Sequence, residues 1–349
     1  MKLPSLPRQV QDRNRWLLAA LGGAGALAVS GGLQAAHMRR ISRDPEGEVL
    51  NAPPRGRAQR VRSADGTGLH VEVFGSEDAA TVVLAHGWTE ALQYWVYVIR
   101  ALSRRGFRVV AYDQRGHGRS EPARGGDYAI ERFGEDLEAV LSTCVPHGQL
   151  AVVAGHSLGA MSIAAWAEDH DVERRARAAA LLSTGVGDLI AEQLLLPLPS
   201  IANTVNRAIS LYGFLGNRAP LPRFSTPLSY AAVRYIAFGR HASPAQVAFF
   251  ERMLVTCPPD VRAKIGFAMS EMDLHDAVPR LTVPTTVIVG ADDRLTPPSH
   301  ARRIAENLPR LEKLIVLPET GHMTPLERPD EVTAALIELA ALTGDRVAA

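Results

Sequence analysis

Gly155-His156-Ser157-Leu158-Gly159 constrains this 349-residue chain more than any other stretch. An apolar run, Leu150–Ala154, leads into it, and a helix-compatible run, Ser157–Glu168, leads out. The pattern predicts a strand that turns sharply into a helix with a serine at the apex. Glycines flank the serine because a Cβ at either position would meet the neighbouring strand or helix. Such a turn lifts Ser157 Oγ out of the sheet and sets it beside the unpaired N–H groups of a helix N-terminus. A hydroxyl there is a useful nucleophile only if the chain also supplies a base, a carboxylate to orient that base and donors for a developing oxyanion.

The rest of the sequence alternates short apolar strands with helices. Thr81–Ala85, Arg108–Tyr112, Leu150–Ala154, Ala178–Ser183, Thr285–Val289 and Leu314–Leu317 read as strands. Ala91–Arg105, Phe133–Thr143, Pro298–Asn307 and Pro329–Leu342 read as helices. An early hairpin is expected around Asp65-Gly66, joining Val61-Arg62 to Leu69–Phe74. The expected class is α/β, with a mostly parallel, doubly wound sheet. Loops that follow its strands share one rim. His322 follows Leu314–Leu317, and Asp292 and Asp293 follow Thr285–Val289, so both groups should face Ser157. Serine, then aspartate, then histidine is one of the known chain orders of a hydrolytic triad. Leu158 N–H is one expected oxyanion donor; Trp88 N–H, in His86-Gly87-Trp88 after Thr81–Ala85, is the other.

Two regions depart from the alternation. Residues 184–279 are too long for a loop, and Ile209–Leu215, Tyr230–Phe238 and Ala245–Val255 read as helical. A helical cap inserted late in the sheet is expected, and its apolar content points to an apolar pocket. At the other end, Trp16–Ala36 is 21 residues without a charge, flanked by arginines on both sides. That length suits membrane association through residues 16–36, although five glycines lower its hydrophobicity. A cleaved signal with Ala26-Leu27-Ala28 as its cleavage site is a second reading, and a Gly/Ala-rich tail a third. These place the chain at a membrane, outside the cell or in the cytoplasm. The expected division is 1–40 anchor or signal, 41–59 linker, 60–183 with 280–349 core, and 184–279 cap.

Composition excludes several partners. A formal net charge of +1 offers nothing to nucleic acid. Two cysteines, Cys144 and Cys257, lack any metal-binding spacing. Asp273, His275 and Asp276 resemble a metal cluster only in composition; their spacing matches no zinc signature.

Five stretches together resemble the α/β-hydrolase fold family: Leu84–Trp88, Asp113–Ser120, Gly155–Gly159, Gly290–Pro297 and Gly321-His322. The resemblance covers Arg60–Leu342. It implies that Asp293, three residues after Gly290, is the triad acid rather than Asp292. It also implies that His86 and His117 hold loop shape, that His156, the residue before the nucleophile, packs under the turn, and that Asp113 and Arg115 tie down their own loop. The expected activity is hydrolysis of a small-molecule carboxylic ester, apolar or lipid-like, by Ser157, His322 and Asp293 without a cofactor. His86–Glu90 is loosely similar to monoacylglycerol lipase-like members. A cofactor-free haloperoxidase or perhydrolase, or a carbon–carbon bond hydrolase, would use the same triad. A hydrolase-like binding protein is the reading of a different class. Haloalkane dehalogenases and epoxide hydrolases are disfavoured, since they need aspartate where Ser157 stands.

Overall fold

The computed structural model describes residues 31–189, 218–219, 221 and 224–342. Eight strands form one sheet in the order β1-β2-β4-β3-β5-β6-β7-β8. They are β1 Arg57–Arg62, β2 Gly68–Phe74, β3 Thr81–Ala85, β4 Arg108–Tyr112, β5 Ala151–His156, β6 Ala176–Leu182, β7 Thr285–Gly290 and β8 Leu311–Leu317. Both pairings of β2 are antiparallel; all later pairings are parallel. Strands β3, β4, β5 and β7 are buried along their length, and β6 everywhere but at Arg177, as a sheet covered on both faces requires.

One face is covered by α1 (Val96–Arg104) and α8 (Pro329–Ala341), the other by α2 (Ile130–Cys144), α3 (Leu158–Asp169) and α7 (Pro298–Asn307). Sequence chemistry sets their ends. After α1, Gly106 takes φ 81°, which lets its N–H reach Ser103 O and the Phe107 N–H reach Leu102 O. These two bonds satisfy the last carbonyls of the helix.

Between β6 and β7 lie α4 (Pro227–Ala237), α5 (Pro244–Thr256) and α6 (Pro259–Glu271). Thr226 and Ser243 cap α4 and α5, each with a reciprocal side-chain bond three residues on. The helix expected over Ile209–Leu215 lies outside the described residues. Residues 41–59, expected as a linker, contain the helix Glu46–Leu50, and Leu50 is buried. Asp44 accepts from Ala245 N–H (2.9 Å) and Glu46 from Tyr97 Oη–H (2.5 Å), so this stretch is tied to the fold. Most of the apolar run, Trp16–Ser30, lies outside the described residues. Among the described residues no helix is long and apolar enough to cross a membrane.

Candidate active site

Strand order places the site. The chain passes from β3 outward to β4 and then returns across β3 to β5. The loops leaving β3 and β5 therefore diverge, and a crevice opens at their C-terminal ends. In register, Ala85 stands beside Gly155, which sets Gly87-Trp88-Thr89 next to Ser157. A Cβ on Gly159 would collide with the Ala85 carbonyl, and one on Gly155 with Gly159 itself. The glycines of the motif are thus demanded by the close packing of α3 on β3 and β5.

Ser157 adopts φ 50°, ψ −115°, a conformation that costs an L-residue about 1–3 kcal/mol. Its backbone is held there from several sides. Ser157 N–H donates to Leu182 O (2.9 Å), and the Ala160 and Met161 N–H groups donate to Ser157 O (2.9 and 3.1 Å). Thr184 Oγ1–H also donates to Ser157 O (3.0 Å). Leu158 N–H sits in the first turn of α3, where no intrahelical acceptor exists.

The structure brings Asp293 and His322 together: His322 Nδ1–H donates to Asp293 Oδ2 at 2.8 Å. Asp293 is buried, and its other bonds fix its orientation. Leu295 and Thr296 N–H groups donate to Oδ1, each at 2.9 Å, and Thr296 Oγ1–H donates to Oδ2 at 3.0 Å. Asp292 is exposed. Ser157, Trp88 and His322 line one cavity of about 80 Å3 with Val233, Phe250 and Met269 from α4, α5 and α6. That is several times the space one water needs, and its walls are mostly apolar. No hydrogen bond joins Ser157 Oγ to the His322 ring among the described residues. Such bonds commonly tighten only when substrate arrives.

His156, expected to pack beneath the turn, is fully buried and connects the two loops. Its Nε2–H donates to His322 O (2.9 Å) and its Nδ1–H to the Glu90 carboxylate (3.2 Å). A doubly protonated ring suits both partners, since a carbonyl and a carboxylate each offer an acceptor. Burial pulls its pKa down, but the charge and hydrogen bond of Glu90 outweigh burial and leave it raised. Glu90 Oε2 also accepts from Gly87 N–H (2.5 Å). One ion pair thus joins the expected oxyanion loop to the loop that carries His322.

His86 and His117 do the reverse. His86 Nδ1–H donates to Gly87 O and its Nε2 accepts from Gln114 N–H (2.7 and 3.0 Å). His117 Nδ1–H donates to Arg115 O and its Nε2 accepts from Thr89 N–H (both 3.1 Å). Burial drives the His117 pKa down to about 4. In the unfolded chain the ring titrates near 6.5, so between about 4 and 6.5 the unfolded state binds more protons. Stability should therefore fall as pH drops through that window, by up to about 3 kcal/mol from this group, and be flat above it. His117→Gln keeps an acceptor but cannot titrate. A weaker dependence of Tm on pH between about 4.5 and 6.5 is expected for the variant, and a slope equal to wild type would refute the assignment.

Four supporting residues were not singled out by sequence: Glu90, Thr184, Thr296 and Glu327. Glu327 accepts from Gly239, Gly321 and Met323 N–H groups (2.8, 3.1 and 3.2 Å) and so clasps the His322 loop. Burial pushes its carboxyl up to about 7. Its one sequence signal is a position five residues beyond His322, on the one-turn helix Thr324–Glu327. Cys144 and Cys257 are buried free thiols. His275 bonds Asp273 (2.7 Å), and no group of three or more metal-ligating side chains occurs among the described residues.

Comparison with known proteins agrees with this architecture. The pattern of the alpha/beta hydrolase fold family matches residues 80–329. A relative in Variovorax paradoxus (strain S110), RutD, whose name assigns it to carbamate hydrolysis, is 30% identical over 73% of this chain and 89% of its own length. A non-heme haloperoxidase of Rhodococcus erythropolis is 26% identical over 79% of this chain and 97% of its own. Among solved structures, a thermophilic esterase from Thermogutta terrifontis superposes with a TM-score of 0.64 at 24% identity, covering 81% of this chain and 97% of that one. Sheet order, site placement and sequence similarity together establish that the chain belongs to the alpha/beta hydrolase fold family.

Proposed function

We propose that the protein is a serine hydrolase that cleaves carboxylic esters with an apolar acyl or alcohol part. The observation that carries the reading is the buried Asp293–His322 pair, whose histidine lines one apolar cavity with a serine held at positive φ. Ser157 Oγ attacks the ester carbonyl as His322 Nε2 takes its proton. The tetrahedral oxyanion is held by the Leu158 and Trp88 N–H groups. On collapse, the ester C–O bond breaks and His322 returns the proton to the leaving alcohol. Water then attacks the acyl-enzyme with His322 again as base, releasing the acid and restoring Ser157. Asp293 keeps Nδ1 protonated and Nε2 free to accept, and stabilises the imidazolium.

A fluorophosphonate probe tests this directly. One adduct is expected, on Ser157, with matching loss of p-nitrophenyl ester hydrolysis; an unmodified Ser157 in folded protein would favour a non-catalytic binding role. The haloperoxidase relative supports a second reading, in which hydrogen peroxide replaces water as acyl acceptor. Adding peroxide and an acid to the same assay separates the two, since only a perhydrolase accumulates peracid. We further propose that residues 16–36 associate with a membrane; recovery of the full-length chain in the soluble fraction after carbonate extraction would remove that reading.

A further inference from the structure

We propose that α4 and the helix preceding the core form a docking face for an anionic lipid bilayer, beside the mouth of the cavity. The outward residues of α4 are Pro227, Leu228, Ala231, Ala232 and Tyr235. That is a continuous apolar stripe at helical spacing on the water side, where a surface helix ordinarily carries charge. Leu228 is 81% exposed. Phe224 just before the helix is also exposed, as are Leu33 and Met38 on the preceding helix. That helix, over residues 31–42, rests on the start of α4: Gln34 donates to Ser225 O (2.7 Å), His37 bonds Ser225 Oγ (2.8 Å), and the His37 ring meets Tyr230 edge-on.

Three observations select a bilayer as the occupant. The first is charge: Arg40, Arg234, Arg240 and Arg294 line a groove along the stripe, with Asp292 its one carboxylate among the described residues. The Arg294 guanidinium lies 4.5 Å from the centre of the Tyr235 ring, so aromatic and cation sit together as at a headgroup boundary. The second is continuity. The uncharged run that begins at Trp16 extends to Ala36, within this helix, and so includes Gln34, which bonds Ser225 close to Leu228. The third is connection to the site. The inner side of α4 lines the cavity through Val233 and Ile236, and Ala237 O accepts from His322 N–H at 2.8 Å. A helix lying in the interface would thus bring the cavity to the lipid surface.

The test uses the full-length protein with a nitrobenzoxadiazole label on Leu228→Cys, on Tyr235→Cys or, as control, on Glu173→Cys at the opposite end of the sheet. Both native cysteines are buried. With vesicles of phosphatidylcholine containing about a third phosphatidylglycerol, emission at 228 and 235 should shift blue and rise severalfold, while 173 stays unchanged. A label at 228 that remains as water-exposed as one at 173 on bound protein overturns the proposal. So does a label already shielded before vesicles are added, since the chain itself or a second copy would then cover the stripe. A second arm rests on the ester-hydrolase reading. Leu228→Asp with Tyr235→Asp should slow hydrolysis of a vesicle-borne ester on the order of tenfold and leave a soluble p-nitrophenyl ester untouched. Equal loss on both esters overturns the docking face. A wild type inactive on either ester removes the hydrolase reading, while the label still decides the face.

Discussion

Replacing Ser157 with alanine should lower kcat on a p-nitrophenyl ester on the order of 10^6-fold while changing stability by less than about 0.5 kcal/mol. The two halves of that expectation have separate causes. Turnover falls because, in the proposed mechanism, Ser157 Oγ is the attacking atom in the cavity that His322 also lines, so nothing remains for the base to activate. Stability holds because the turn is fixed by backbone bonds and by Thr184, while Oγ makes no hydrogen bond among the described residues. Alanine also meets the same cost as serine at φ 50°. Ser157→Gly removes that cost and should be equally inactive but more stable than Ser157→Ala by about 1 kcal/mol. Urea denaturation and ester turnover on the same samples check both. Retained turnover in Ser157→Ala would end the assignment, and a large stability loss would show that the hydroxyl supports the fold.

Much of this site was legible because its parts are local. The motif at Gly155–Gly159 announces its own turn, and α7 falls on the expected Pro298–Asn307 because proline suits a helix start and the apolar spacing marks its inner face. Legibility failed where the cause lies far along the chain. β8 begins at Leu311 rather than Leu314 because it is an edge strand, whose exposed Glu312 and Lys313 carry no apolar signal. The α6 sequence mixes charges among Val261, Ile265 and Met269, and its helix shows only once the body buries those three. The residues expected as a linker contribute Leu50 to the core, and no local pattern separates that leucine from one in a loop. Glu90 and Glu327 are ordinary carboxylates in sequence. Their roles arise from backbone donors that the fold brings to them. Strand order itself, with β3 between β4 and β5, is a long-range fact, and it is what opens the crevice.

Asp136→Ala is expected to cost about 3–5 kcal/mol, which for many domains is most of the margin. Arg115 has no exposed side-chain surface. It donates through Nε and Nη2 to the two oxygens of Asp136 (2.8 and 2.7 Å), and through Nη1 to Asp65 (3.0 Å). Removing Asp136 would leave a guanidinium that cannot lose its proton, buried beside Phe133 and the Asp127 carbonyl with one partly exposed carboxylate for company. Asp65→Ala should cost far less, because Asp65 is 20% exposed and the bidentate pair survives. Joint replacement by Arg115→Met and Asp136→Leu removes both charges and should recover much of the loss. The consequence extends to the site. The Arg115 carbonyl accepts from His117, and His117 in turn accepts from Thr89 beside Trp88. Loosening this loop should therefore slow ester turnover under conditions where the variant remains folded, through weakening of the proposed oxyanion donor, Trp88 N–H, rather than through Ser157 or His322. Urea unfolding of the three variants decides the energetic claim: equal costs for Asp136→Ala and the double variant would show that lost packing, and not the stranded charge, governs this corner of the fold.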